Sequence, residues 1–138
     1  MTEVLLVAHG KLAQEMKNSA EMIFGKLPEF YTIDFLKEDG FDSIKENISV
    51  VLNQMSDSVI VVSDLFAGTP YNACCGLAME YRQKNIEVIS GMSLPLVLET
   101  ASMCGNKTPK EIVDYLLSIC SDTVRTFLVE EDDDEEDL

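Results

Sequence analysis

What this chain lacks excludes several classes of protein. Its 138 residues include one histidine, no tryptophan, and only 10 lysine and arginine residues against 25 acidic ones. With so little positive charge and no basic cluster, nucleic acid and anionic membranes are not expected as partners. No apolar run approaches the roughly 20 residues that cross a bilayer, and Glu3 interrupts the basic start typical of a signal peptide. We therefore expect a cytoplasmic protein.

The cysteines do not form a metal-binding pattern. The four of them, Cys74, Cys75, Cys104 and Cys120, include no C-x-x-C pair, and only one histidine is available to assist them. Reduced thiols packed in the core explain them better than a zinc site or a disulfide framework. The sequence therefore predicts neither a metal nor a cofactor.

Charge is unevenly distributed along the chain. The net charge is −15, and eight consecutive acidic residues occupy positions 130–137. The rest carries 17 acidic against 10 basic residues, a net charge of −7. With 46% hydrophobic residues overall, the sequence predicts one globular domain, residues 1–128, followed by a self-repelling, disordered acidic tail at 129–138.

Apolar runs alternate with helical periodicity along the domain. Strands are predicted at residues 4–9, 30–35, 58–63 and 86–90, with a possible edge strand at 124–128. Between them lie five predicted helices. The first has Leu12, Met16, Ala20 and Ile23 on its inner face and ends at Gly25. The third has Thr69 as N-cap and Pro70 in the first helical position, and runs to about Lys84. Thr108 and Glu111 form a capping box that opens the last helix.

This alternation is typical of a doubly wound α/β fold, with a parallel four-stranded sheet and helices on both faces. If the strand order is 2-1-3-4, the switch point lies between the first and third strands, whose carboxyl ends meet there. Those strands end at His9 and Asp64. A buried strand that ends at the only histidine therefore places an imidazole beside a carboxylate in one cleft.

An imidazole and a carboxylate in this arrangement favour nucleophilic chemistry. A carboxylate that accepts a hydrogen bond from one ring nitrogen holds the tautomer and leaves the other nitrogen free to attack. Gly68 and Thr69, at the start of the third helix, are typical of an anion-binding turn, and Lys11 is the nearby cation. Together these residues predict phosphoryl transfer through phosphohistidine.

Four motifs also carry a family resemblance. They are Val7-Ala8-His9-Gly10, and the stretches at residues 20–25 (AEMIFG), 64–73 (DLFAGTPYNA) and 89–100 (ISGMSLPLVLET). In this order, over about residues 1–120, they resemble the IIA domain of the mannose family of the bacterial phosphoenolpyruvate-dependent sugar phosphotransferase system.

The resemblance implies specific roles and partners. His9 would accept a phosphoryl group on Nε2 from the carrier HPr, Asp64 would orient its ring, and the turn at Gly68 and Thr69 would help to hold the group. The protein would pass the phosphoryl group to a IIB protein that acts with membrane IIC and IID components, and would need no metal. It would form a homodimer, in known cases by exchange of a C-terminal strand, for which residues 124–128 are the candidate.

Two departures from the family pattern affect this interpretation. Some relatives continue through an Ala/Pro-rich linker into a IIB domain, whereas this chain ends in acidic residues, so a separate IIB protein is expected. Leu65-Phe66-Ala67 replaces the Trp-Gly-Gly of some mannose transporters, which leaves the sugar open.

Other functions remain as alternatives. A phosphocarrier for a dihydroxyacetone kinase and a non-catalytic regulatory module on the same fold both fit the residues. A histidine phosphatase would need a second histidine and an arginine before His9. A receiver-like module would need an acidic pair where Ala8 and His9 stand.

Overall fold

The computed structural model describes residues 1–128. The strands are β1 (Glu3–His9), β2 (Phe30–Phe35), β3 (Ser58–Ser63) and β4 (Asn85–Ser90). The helices are α1 (Leu12–Phe24), α2 (Phe41–Leu52), α3 (Thr69–Glu80), α4 (Leu94–Met103) and α5 (Pro109–Ile119), and a short 3₁₀ turn (Cys120–Thr123) follows α5. Strands and helices thus alternate as far as β4.

The four strands form one parallel sheet in the order β2-β1-β3-β4. This confirms the predicted α/β class and strand order. In the register of the sheet, His9 lies opposite Phe35 of β2, and Val7 lies opposite Ser63 of β3. The carboxyl ends of β1, β2 and β3 therefore meet along one edge, where open α/β sheets bind their ligands.

Apolar side chains cover both faces of the sheet. One core cluster joins Leu6, Ile60 and Val62 to α1, α4 and α5, and the other joins Leu5, Val7 and Val61 to α2 and α3. Val4 to Ala8 are completely buried. A strand that is covered on both faces must be apolar at every position, which explains the unbroken run before His9.

The predicted inner face of α1 is only partly correct. Ala20 is buried and Met16 is partly buried, but Leu12 and Ile23 are 43% and 65% exposed. Ala13 contributes to the core in their place. Two alanines, Ala13 and Ala20, bring the helix close to the sheet, so this face is narrower than the one predicted from the larger apolar residues.

Two predictions about α3 are wrong. Gly68, rather than Thr69, is the N-cap, and Thr69 is the first helical residue. The helix ends at Glu80 instead of near Lys84, and Asn85 already belongs to β4. The Lys84 ammonium group donates to the carbonyls of Met55 and Ser56, at 3.0 Å each. These tertiary contacts favour a turn where local propensity favours helix.

The end of the domain differs from the central sheet. Leu117 of α5 is 61% exposed. Residues 124–128 form no strand with the sheet of the same chain, so the exchanged edge strand stays a prediction. The predicted acidic tail lies outside the described residues. Within residues 1–128, no helix has the length and apolar character that a bilayer-spanning segment needs.

Candidate functional site

His9 ends β1 at the carboxyl edge of the sheet. Gly10 follows with φ of +60°, a backbone conformation that favours glycine, and its amide donates to the Phe35 carbonyl over 2.7 Å. This bond ties the β1–α1 turn to the end of β2. The imidazole therefore projects from a rigid strand end, and its side chain is 45% exposed.

Asp64 follows β3 and contacts His9 directly. Its Oδ2 lies 3.0 Å from the His9 backbone nitrogen and 3.0 Å from the ring atom Nδ1. The first contact is a hydrogen bond donated by the backbone amide, and the second is completed when Nδ1 carries the proton. One carboxylate oxygen thus holds both the main chain and the ring of His9. With the proton on Nδ1, Nε2 keeps a free electron pair.

The ring of Phe35 supports the imidazole from the β2 side. The two ring centroids are 5.3 Å apart, and the planes cross at 85° in an edge-to-face arrangement. Such a contact restricts rotation of the imidazole about its own bonds. His9 is therefore held from two strands, by the Asp64 carboxylate and by the Phe35 ring.

The loop from Asp64 to Gly68 brings main chain against the imidazole. A β-carbon added to Gly68 would lie 3.4 Å from His9 Cε1 and 3.3 Å from the Leu65 carbonyl oxygen. Ala67 has φ of +65°, a strained conformation for a residue with a side chain. The Asn72 side-chain amide donates to the Ala67 carbonyl over 3.2 Å. These features hold Gly68, and with it the start of α3, beside His9.

The other two predicted residues are less directly connected to the imidazole. Thr69 is half-buried and follows Gly68, while Lys11 is exposed and precedes α1. Within residues 1–128, neither side chain makes a hydrogen bond to His9. Within the described part of the chain, the amino end of α3 has no side-chain cap, which leaves its first amide groups available for an anion.

A cleft of about 330 Å³ opens beside His9 on the β2 side. It is lined by His9, Gly10, Phe35, Leu36, Lys37 and Asp39. The sequence motifs assign no role in the site to the residues after β2. The available signal was the strand order, because β2 next to β1 also brings the β2–α2 loop to the switch-point edge.

Two buried polar atoms at the end of β3 lack partners. Within the described chain, Ser63 Oγ and Asp64 Oδ1 make no hydrogen bond. Leaving a buried polar atom unpaired costs about 1–3 kcal/mol. Unpaired buried polar atoms and strained residues such as Ala67 are found at functional sites more often than elsewhere.

Comparison with known proteins agrees with this fold. The family model EIIA-man, described as the fructose IIA component of the phosphotransferase system, matches residues 3–117. A sorbose-specific EIIA component from Lacticaseibacillus casei is 36% identical over 118 residues, which cover 85% of this chain and 84% of that protein. A fructose-specific EIIA component from Bacillus subtilis is 26% identical, and the alignment covers 99% of both chains.

A solved structure extends the match to the whole fold. The mannose/sorbose-specific IIA subunit of the phosphotransferase system from Enterococcus faecalis superposes with a TM-score of 0.85 at 27% identity. The alignment covers 94% of this chain and 97% of that subunit. The chain therefore belongs to the mannose family of EIIA components of the sugar phosphotransferase system.

Proposed function

We propose that this protein is a phosphocarrier that accepts a phosphoryl group from phospho-HPr on His9 Nε2 and passes it to a IIB protein. The observation that carries the proposal is the 3.0 Å contact between His9 Nδ1 and Asp64 Oδ2. It supports a ring whose Nδ1 is protonated and whose Nε2 electron pair is free to attack. No metal or cofactor takes part in this mechanism.

The transfer is a displacement at phosphorus. The Nε2 electron pair forms the new bond to phosphorus, while the bond to the donor atom breaks and its electron pair leaves with HPr. The ring of His9 becomes positively charged, and the Asp64 carboxylate stabilises that charge through Nδ1–H. In the second step the bond to Nε2 breaks and the group moves to the IIB acceptor.

The turn at the start of α3 is the proposed phosphoryl-binding element. The main chain of Gly68 approaches the imidazole closely, and helix amino ends favour negative charge. The Thr69 hydroxyl and the Lys11 ammonium group are the proposed side-chain donors. Positioning and charge stabilisation of this kind supply most of the catalysis in phosphoryl transfer.

A labelling experiment tests the proposal. The protein is incubated with radiolabelled phosphoenolpyruvate, enzyme I and HPr, and the stability of the bound label in acid and in alkali is measured. We expect an acid-labile, alkali-stable label on the wild-type protein and none on His9→Ala. A label on His9→Ala, or no label on the wild type beside active HPr, would refute the phosphohistidine mechanism.

Asp64 has a separate prediction. Asp64→Asn should lower the labelling rate at least about tenfold without moving the label, because an amide neither stabilises the cationic ring nor selects the tautomer as a carboxylate does. Asp114→Asn is the matched control, since Asp114 is an exposed carboxylate that pairs with Lys110 on the surface of α5. Equal rates for the two variants would remove Asp64 from the mechanism.

The partners and the assembly are part of the same proposal. We infer a separate IIB protein that acts with membrane IIC and IID components, and a reaction in the cytoplasm. Four free cysteines are consistent with that compartment. A homodimer is supported by exposed apolar side chains at the end of the described chain, where Val124, Phe127 and Leu128 are 70–87% exposed. Light scattering on wild-type protein and on Phe127→Ser tests the dimer.

A further inference from the structure

A phosphoryl group at His9 would enter a strongly negative environment. It adds about two negative charges at neutral pH, and the Asp64 carboxylate already contacts the ring. Asp39 lines the adjacent cleft, Glu38 precedes it in the chain, and the whole chain has a net charge of −15. Such a site needs a cation close to the transferred group, because backbone dipoles alone carry only partial charges.

Lys37 is the lysine that shares the cleft with His9. It lines the 330 Å³ cleft together with His9 and Phe35, whereas Lys11 does not. Within residues 1–128, Lys37 makes no ion pair or hydrogen bond through its ammonium group. By contrast, Lys45, Lys84 and Lys110 are paired with Glu80, Asp57 and Asp114, respectively. The Lys37 ammonium group is therefore available for an anion that arrives in the cleft.

The turn that carries Lys37 is already held in place. The Asp39 amide donates to the Leu36 carbonyl over 2.9 Å, which closes a tight turn with Lys37 in its second position. The Asp39 carboxylate accepts from the Leu36 amide and from the Ser43 hydroxyl, at 2.9 Å each. Both carboxylate oxygens thus have partners, one in the loop and one in the first turn of α2. The backbone of the turn that carries Lys37 is therefore held by contacts of the described residues.

We infer that Lys37, in addition to Lys11, is a cation that stabilises the phosphoryl group on His9, as a binding residue that the sequence motifs do not identify. This inference rests on the proposed phosphorylation of His9. Its ammonium group would face the phosphoryl oxygens from the β2 side, opposite the start of α3. The group would then be held between a full positive charge and the helix amino end.

The ionisation of the phosphoryl group itself provides the test. His9 is phosphorylated chemically with phosphoramidate, so that Nε2 forms the bond to phosphorus and ammonia leaves. The second pKa of the phosphoryl group is then followed by ³¹P NMR. A nearby cation stabilises the dianion, so we expect this pKa to be about half a unit to one unit higher in Lys37→Gln than in the wild type. Lys37→Arg should restore the wild-type value.

Two lysines serve as controls. Lys26 is exposed, carries no ion pair within residues 1–128, and follows the carboxyl end of α1 at the opposite edge of the sheet, so Lys26→Gln should leave the pKa unchanged. Lys11→Gln tests whether Lys11, the cation that the sequence alone suggested, also affects this pKa. A shift in Lys11→Gln together with none in Lys37→Gln would overturn the assignment.

The outcomes separate this inference from the proposed function. Phosphorylation by HPr should be about tenfold slower in Lys37→Gln if the charge also acts on the transferred group. If phosphoramidate labels His9 and Lys37→Gln shifts the pKa, but HPr transfers nothing, then the proposed donor is wrong and Lys37 retains its role. Normal transfer from HPr with no pKa shift in Lys37→Gln would refute the inference alone. Failure of both reagents to label His9 would refute both.

Discussion

Because Gly68 has no side chain, the loop before α3 can approach His9 closely. Its φ of −76° is accessible to any residue, so the requirement is space rather than backbone conformation. An added β-carbon would meet the Leu65 carbonyl oxygen and the His9 ring at 3.3–3.4 Å. At 3.3 Å the Leu65 carbonyl, and with it the loop beside His9, must move by a few tenths of an ångström, while the His9 ring at 3.4 Å is at the limit of ordinary van der Waals contact.

Gly68→Ala should therefore disturb the imidazole more than the fold. We expect the labelling rate to fall about tenfold, because small misplacements of a reacting group are costly, while the free energy of unfolding changes by less than about 1 kcal/mol. Labelling kinetics and urea unfolding measure the two effects. Gly105→Ala is the control, since no atom of the described residues lies within 4 Å of its added β-carbon. A large loss of stability in Gly68→Ala, with an unchanged labelling rate, would contradict this account.

Helix α5 contributes to stability at a distance from the site. Thr108 Oγ1 accepts from the Glu111 amide, and Glu111 Oε1 accepts from the Thr108 amide, which confirms the predicted capping box. The helix buries Ile112 and Leu116 against the face that α1 and α4 share. Its amino end is connected to the start of β1, because Thr2 Oγ1 donates to the Lys107 carbonyl over 2.6 Å. This edge of the sheet is opposite His9.

Thr108→Ala should lower the free energy of unfolding by about 1 kcal/mol, the usual cost of a lost N-cap. The rate of labelling at His9 should stay unchanged, because the cap lies at the other edge of the sheet. Urea unfolding and the labelling assay test the two halves of this prediction. Thr108→Ser, which keeps a capping hydroxyl, is the matched control and should retain most of the stability. A slower transfer in Thr108→Ala would show that the two edges are coupled.

The loop between β3 and α3 contains a strained backbone conformation. Ala67 adopts a left-handed conformation, and Phe66 next to it is exposed and packs against Tyr71 with ring centroids 5.1 Å apart. The strain at Ala67 is held by the neighbouring contacts of Asn72 and Gly68. The same loop carries the main chain that approaches His9, so strain and site geometry belong to one short segment.

At the scale of the whole molecule, buried thiols make the stability of the fold depend on alkaline pH. Burial raises the pKa of Cys74 from 9.0 to about 12, with a smaller contribution from Cys75. Burial, and then the hydrogen bond to Glu29, raise the pKa of Cys104 from 9.0 to about 12. In the unfolded chain these thiols lose their protons near their ordinary pKa, so the folded state binds more protons above it.

Stability should therefore fall as the pH rises from about 9 towards about 12, and the thiol contribution should be fully present below about pH 9. Urea unfolding of the reduced protein at about pH 8 and about pH 10.5 measures the loss. Cys104→Ser keeps a hydrogen-bond donor of similar size for Glu29, but the serine hydroxyl does not ionise in this pH range. The loss of stability in this variant should therefore be smaller than in the wild type. Cys120→Ser is the control, since Cys120 is only half-buried. Equal losses in the two variants would contradict the assignment.

The sequence by itself determined the alternation of four strands with helices, and hence the parallel α/β class. Both follow from local patterns: an unbroken apolar run marks a strand covered on both faces, and a capping box marks a helix start. It also indicated that the strands ending at His9 and Asp64 meet at the switch point. Because β1 ends at His9 and Asp64 directly follows β3, the two residues come together once these strands lie side by side, as in the predicted order 2-1-3-4.

Only the tertiary structure decided features that depend on residues distant in the chain. The inner face of α1 is formed by Ala13 and Ala20 because the helix lies close to the sheet, and α3 ends at Glu80 where the Lys84 side chain binds two carbonyls of another loop. Lys37 shares a cleft with His9 because β2 pairs with β1. These contacts cannot be predicted from local sequence, because each depends on how the helices and strands pack after they have formed.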